Sequence, residues 1–306
     1  MNSTLLEVHN VTRSYGSRAV LKDVSFAVRG GRMTGFVGSN GAGKTTTMRV
    51  ILGVLAPDSG SVTLDGSPLG EGDRTRFGYM PEERGLYPKM KVAEQLVYLG
   101  RLHGMSTEQA KASADSLLER LGLTERADTL VEALSLGNQQ RAQIAAALVH
   151  EPEVLVLDEP FSGLDPLAVE VVLAVLKDRA DAGVPVLFSS HQLDIVERLC
   201  DDLVIIADGQ IRANGSVDGL RREHGSSRHE LLLGGTSAAG SGTGDAGWVR
   251  EMPGVTVIDF DGGYALFEAD EDARATVLAR AVASGELVSF GPHEPSLAQV
   301  FREVIR

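Results

Sequence analysis

The chain has 306 residues, 43% of them hydrophobic and 23% charged, the balance of a globular protein long enough for about two domains. Its 42 acidic residues outnumber 29 basic ones, and the formal net charge of −13 argues against sequence-independent nucleic-acid binding, which rests on neutralising phosphates. Cys200, the one cysteine, excludes an intrachain disulfide framework and a cysteine-built zinc site. The first ten residues lack a basic stretch followed by an apolar one, and no apolar run approaches the ~18 residues that span a bilayer. The expected location is the cytoplasm, with any membrane role exercised through a partner.

In chain order, residues 1–215 alternate short apolar runs with helical patterns, which predicts an α/β domain. Strands are expected over residues 33–37, 154–157, 184–188 and 203–207, the last three almost continuously apolar, as strands buried on both faces are. Between about residues 85 and 150 the leucines at 96, 99, 102, 117, 118 and 121 recur at helical spacing, which predicts an inserted helical subdomain. Residues 216–306 have another texture. A strand is expected over 230–233, and a mobile loop over 234–247 from its six glycines. Strands over 255–260 and 264–268 flank Asp261-Gly262-Gly263, a hairpin signal. A helix over 272–284, a strand over 287–290 and a closing helix over 296–305 complete a small α+β domain.

The chemistry concentrates in Gly38-Ser39-Asn40-Gly41-Ala42-Gly43-Lys44-Thr45, a phosphate-loop pattern between a predicted strand and a predicted helix. Glycines let backbone N–H groups turn inward around phosphate oxygens, and the helix beginning there adds its positive dipole end. Lys44 supplies a full charge to the β- and γ-phosphates, the Thr45 hydroxyl can ligate Mg²⁺, and Thr46 is grouped with the nucleotide-binding residues. The apolar run 154–157 ends in Asp158 and Glu159. An aspartate at that strand end can hold Mg²⁺, and a glutamate one residue farther can take a proton from an attacking water. His191 follows two serines after the strand expected at 184–188, within reach of the same γ-phosphate edge. Ser189, Ser190 and His191 do not make a serine hydrolase, because the Gly-x-Ser-x-Gly elbow is absent.

With these motifs, the segment Leu134-Ser135-Leu136-Gly137-Asn138-Gln139-Gln140-Arg141 resembles the signature of ABC ATPases. Ser162-Gly163-Leu164-Asp165 is similar to the D-loop of that family, His191 to its switch histidine, and Tyr15 to the aromatic that stacks on adenine. The end of the chain, Glu294-Pro295-Ser296-Leu297-Ala298-Gln299-Val300-Phe301, resembles an accessory domain on ATPase subunits of drug-resistance and sodium-efflux exporters. The resemblance implies a P-loop NTPase fold of ABC type and an ATPase that uses ATP and Mg²⁺. It implies a homodimer in which ATP is buried between the phosphate loop of one copy and Ser135 and Gly137 of the other. It also implies an integral membrane permease as partner, no nucleic acid, and a peripheral position on the cytoplasmic face of the membrane. The segment 84–90 and the helix after it are the expected contact with that permease.

Two positions depart from the family's common sequence. The signature reads Leu-Ser-Leu-Gly-Asn for the usual Leu-Ser-Gly-Gly-Gln, and Glu82, after Pro81, stands where a glutamine is usual. Glu82 can still ligate a cation through oxygen, so it joins Thr45 and Asp158 as an expected metal ligand. Two other readings stay open: a soluble ABC-type ATPase acting in translation or DNA repair, and a non-catalytic nucleotide-sensing subunit. Soluble translation members usually fuse two ATPase halves, repair members carry coiled coils, and sensing subunits typically lack the base or the switch histidine. This chain has one ATPase set, no sustained heptads, and both Glu159 and His191.

Overall fold

The computed structural model describes residues 4–83, 85–225, 228–234 and 244–305. By its internal contacts the chain divides into two units, residues 1–217 with 304–306, and residues 218–303.

The first unit opens with strands β1 (Leu5–Tyr15), β2 (Arg18–Arg29) and β3 (Met33–Val37), followed by helix α1 (Lys44–Ile51). Strands β4 (Ser59–Leu64), β5 (Ser67–Pro68) and β6 (Phe77–Met80) come next. Helices α2 (Val92–Leu102), α3 (Thr107–Arg120) and α4 (Leu136–Leu148) form the helical subdomain. The chain then alternates through β7 (Val154–Leu157), α5 (Pro166–Asp181), β8 (Val186–Ser190), α6 (Leu193–Leu199), β9 (Asp202–Ala207) and β10 (Gln210–Ser216). An antiparallel sheet runs β2-β1-β4-β5, and a larger one runs β10-β9-β3-β8-β7-β6. In the larger sheet β9, β3, β8, β7 and β6 are mutually parallel, so their carboxyl ends share one edge. The two sheets share a core in which Leu6, Leu21, Val24 and Val28 pack with Phe36, Met48, Val156 and Val204.

Strands buried on both faces appear where continuous apolar runs predict them. Every residue of β3, β7 and β8 is buried. The strand expected over 184–188 instead occupies Val186–Ser190. The Val184 N–H is spent on the Arg179 carbonyl at the end of α5, and residue 185 bridges Gly30, so pairing with β3 and β7 begins at Val186. His191 therefore follows the strand directly.

In the second unit the elements are α7 (Val217–Gly225), β11 (Arg228–Leu233), β12 (Val255–Asp261), β13 (Tyr264–Ala269), α8 (Glu271–Ser284), β14 (Leu287–Pro292) and α9 (Leu297–Val304). The strands form an antiparallel sheet in the order β12-β13-β11-β14. Asp261 pairs with Tyr264 across the Gly262-Gly263 turn, the two-residue loop that the hairpin signal predicts. Val277 and Ala281 of α8 pack against Leu231, Ala265 and Phe267 of the sheet. The Asp270 carboxylate caps α8 by accepting from the Ala273 N–H, and Gly285 ends it in the left-handed region, at φ +74°. Residues 235–243 of the glycine-rich loop lie outside the described residues.

Candidate functional site

The phosphate loop joins the buried carboxyl end of β3 to α1. Its glycines are needed for different reasons. At Gly43 the backbone sits at φ +113°, and a Cβ there would stand 2.7 Å from Leu21 Cδ2. At Gly38 a Cβ would press to 2.4 Å on the Ile206 carbonyl of β9. The Ala42 N–H closes the turn on the Ser39 carbonyl at 3.1 Å. Lys44 is buried, and its Nζ donates to the Gly38 carbonyl at 2.7 Å and reaches that of Ser39 at 3.4 Å. Among the described residues no carboxylate stands within ion-pair distance of Lys44, so this buried cation has only neutral carbonyls as partners. Such a cradle suits an anion.

Two strands away, β7 delivers the acids. Asp158 is buried, and its Oδ2 accepts from the Thr45 hydroxyl at 2.9 Å. Ser189 of β8 donates to Asp158 Oδ1 at 2.5 Å and accepts from the Glu159 N–H at 2.8 Å. Glu159 adopts φ +53°, in the left-handed region that costs a non-glycine residue on the order of 1–3 kcal/mol. Its carbonyl accepts from Gln140 of α4 at 2.9 Å, so hydrogen bonds hold the strained backbone on both sides. The carboxylate is nine-tenths buried and lies 2.9 Å from His191 Nδ1 (Oε2 to nitrogen), with the histidine half exposed.

These residues border a cavity of about 340 Å³ lined by Tyr15, Asn40, Gly41, Gly43, Lys44, Thr45, Thr46, Glu82, Asp158 and Glu159, all expected from the sequence. Arg18 and Val20 of β2 line it as well and were not anticipated. Their signal is position: each lies a few residues beyond Tyr15, on the strand paired with the one that carries it. Tyr15 is half exposed, with the Arg13 guanidinium 5.3 Å from its ring centroid. Asp58 fixes Arg13 at 2.8 Å and accepts the Ser14 N–H at 2.7 Å, so the ring is supported from one side.

Gly38, Ser39 and Ala42 shape the loop without lining the cavity, and His191 connects to it through Glu159. Ser135 and Gly137 do not line it. Ser135 caps α4, its hydroxyl accepting from the Asn138 N–H at 3.4 Å, and both Ser135 and Leu136 are exposed. A hard divalent cation fits the donor set, since Thr45, Asp158 and Glu82 offer oxygen and the Thr45 and Asp158 oxygens are already 2.9 Å apart. No helix among the described residues is long and apolar enough to cross a membrane.

Comparison with known proteins places these features in a context. The ABC transporter family model matches residues 21–162, and a model described as the C-terminal domain of DrrA1-3-like ATP-binding proteins matches residues 215–305. The uncharacterized ABC transporter ATP-binding protein YhaQ of Bacillus subtilis is 37% identical over 302 residues, 98% of each chain. The linearmycin resistance ATP-binding protein LnrL of the same organism is 36% identical over 77% of each chain. Among solved structures, an ATP-binding subunit of an ABC transporter is 35% identical with a TM-score of 0.67, covering 72% of this chain and 93% of that one. The dimeric structure of MJ0796, a bacterial ABC transporter cassette, shares the fold at 24% identity and a TM-score of 0.64, covering 69% of this chain and 98% of that one.

Proposed function

Because the chain belongs to the ABC transporter ATP-binding proteins, a family that binds and hydrolyses ATP in transport, we propose that two copies close head to tail around ATP to drive a membrane exporter. The observation that carries this reading is the convergence of a carbonyl-capped Lys44, the Thr45–Asp158 contact and the Glu159–His191 pair on one cavity.

In this mechanism Tyr15 stacks on the base, and Lys44 turns from its own loop carbonyls to the β- and γ-phosphates. The inward N–H groups of residues 38–46 hold the remaining phosphate oxygens. Thr45, Asp158 and Glu82 are the residues that would hold Mg²⁺. That ion, when bound, offsets phosphate charge. Glu159 accepts the proton of the attacking water, and His191 holds the Glu159 carboxylate against the γ-phosphate edge. A second copy supplies Ser135 and the N–H of Gly137, at the amino end of α4, to the same γ-phosphate.

The partner is an integral membrane permease, which places the subunit on the cytoplasmic face of the membrane. The docking site for the permease is the segment 84–90, whose residue 84 lies outside the described residues, together with α2. The support is apolar exposure: Tyr87, Tyr98 and Leu102 are 54%, 42% and 62% exposed, and the Tyr87 and Tyr98 rings meet edge to face. Export is favoured by the C-terminal match and by the resistance protein among the relatives. The relatives described above are named as ABC transporter and resistance ATP-binding proteins, which favours transport over a soluble translation or repair role.

Lys44→Ala tests the site. It is expected to abolish nucleotide-dependent thermal stabilisation and ATP hydrolysis in a folded chain. Full retention of the thermal shift would overturn the assignment.

A further inference from the structure

Helix α4 is built largely from alanine, isoleucine and leucine, yet Gln143 in its middle is only 4% exposed. A buried amide needs partners, and its NH₂ group has two protons to give. Gln143 Nε2 lies 2.8 Å from the Pro81 carbonyl and 3.2 Å from that of Glu83. The residue between those two carbonyls is Glu82. One turn earlier on the same face, Gln140 Nε2 makes a matching pair of bonds to the Glu159 carbonyl at 2.9 Å and the Pro160 carbonyl at 3.0 Å.

These two loops leave the carboxyl ends of β6 and β7, neighbouring parallel strands, and the Asp158 N–H bonds the Met80 carbonyl at 2.8 Å between them. Helix α4 thus carries two forked donors, each gripping the backbone of a loop that brings a carboxylate to the cavity. At its amino end the same helix presents Ser135 and Gly137. A glutamine that only satisfied its own burial would have no reason to straddle a single cavity-lining residue, nor to be repeated one turn away at the other acid.

We propose that Gln143 is a positioning residue for Glu82: its amide ties the loop on both sides of that carboxylate to α4, so the place of Glu82 at the nucleotide follows the helix that begins at Ser135. The inference rests on the reading of Glu82 as a metal-site residue given above. It adds a physical route by which a nucleotide held at Ser135 is felt at the Glu82 of the same chain. Gln143 itself touches neither nucleotide nor metal.

The test is a double-mutant cycle on the full chain, read as the ratio of ATP affinities with and without Mg²⁺. Wild type is measured first, and absence of nucleotide binding there would defeat the underlying reading instead of this inference. Glu82→Gln in the wild-type chain is expected to lower the ratio about tenfold, by removing a carboxylate that repels phosphate when metal is absent. In Gln143→Met, which keeps the length of the side chain and removes both donors, the same Glu82→Gln change is expected to shift the ratio less than about twofold. Gln143→Met alone should slow hydrolysis by about 10- to 100-fold, the scale of an ångström of misplacement, while ATP binding with Mg²⁺ persists. Gln143→Leu serves in the same cycle should methionine disturb folding.

An equal effect of Glu82→Gln in both backgrounds would overturn the proposal. So would unchanged hydrolysis in Gln143→Met with only a lowered melting temperature, which would make Gln143 a strut between helix and loop. If Glu82→Gln does nothing in the wild-type chain while ATP still binds, the Glu82 assignment and this proposal fall together and the ATPase reading stands.

Discussion

Glu159→Gln is the sharpest perturbation of the site because the structure separates its chemistry from its scaffolding. The backbone of residue 159 is held by groups that the substitution leaves alone, the Ser189 hydroxyl at its N–H and the Gln140 amide at its carbonyl. Glutamine meets the same φ of +53° at a cost close to glutamate's, so the fold should keep its stability to within about 1 kcal/mol. The side chain keeps its volume in a pocket nine-tenths closed to solvent, and an amide oxygen can still face His191 Nδ1 at the 2.9 Å observed for the carboxylate. What disappears is a basic oxygen able to accept a proton from water. Loss of a general base costs about 10²–10⁴ in rate, or roughly 3–5 kcal/mol of barrier. Phosphate release under saturating ATP and Mg²⁺ gives the rate, and a nucleotide-induced thermal shift equal to that of wild type shows that binding is intact. With turnover blocked, sedimentation in ATP should show a dimer. A hydrolysis rate within about threefold of wild type, with binding intact, would refute Glu159 as the base, since so small a change is well under 1 kcal/mol.

Gly78→Ala in β6 would set a Cβ 2.2 Å from the Ala147 carbonyl of α4, backbone against backbone, and should destabilise the domain by about 1–3 kcal/mol in denaturant unfolding. Gly137→Ala is the contrasting case. Among the described residues its Cβ would meet nothing closer than 3.7 Å, so the melting temperature should hold while ATP-dependent dimerisation is lost. His150 contributes one component of the pH dependence of stability. Burial first, then the stacked His103 ring, push it from 6.5 down to about 4, against the opposite pull of the Phe77 carbonyl. The unfolded chain takes up that proton as pH falls through 6.5 and the folded chain does so only near 4. Stability is therefore lost across that interval and levels off below it. His150→Gln should remove this component, seen as a flatter melting temperature between those pH values.

Much of the nucleotide site is legible in the sequence because its signals are local. The phosphate loop needs its glycines, lysine and threonine in consecutive positions, and strands buried on both faces announce themselves as unbroken apolar runs. β1 and β2 are harder to read. Their buried residues Leu6, Val8, Val11, Leu21 and Val24 are thrown off strict alternation by register shifts near Val8, Val11 and Arg13. β6 is four residues long with a glycine inside, a poor strand by propensity that is made by pairing with β7, its glycine lying where α4 passes close over it. Gln140 and Gln143 are invisible for another reason. Glutamine is an ordinary helix former, and only the loops that α4 crosses turn these two into anchors. Arg18 enters the cavity because it pairs with Tyr15 across the turn at Gly16 and Ser17, a position that belongs to no phosphate-binding motif.

The arrangement of α4 gives the departures from the common family sequence a shared physical setting. One end of the helix presents Ser135, Leu136 and Gly137 outward, with Leu136 59% exposed, and its buried face grips the loops of Glu82 and Glu159. Leu136 is exposed on its own chain, and Ser135 caps the helix whichever residue follows it. A leucine in place of a small residue therefore leaves the fold untouched and alters only the surface offered to a second copy, where it adds apolar area beside the phosphate contact. Glu82 sits at the other end of the same mechanical unit, and its added charge matters only when the nucleotide's own charges are near. On the proposed head-to-tail closure, Leu136 acts when a second copy docks, whereas Glu82, which lines the cavity of its own chain, acts when nucleotide binds. If two copies close as proposed, α4 is the element through which each copy senses the nucleotide of the other.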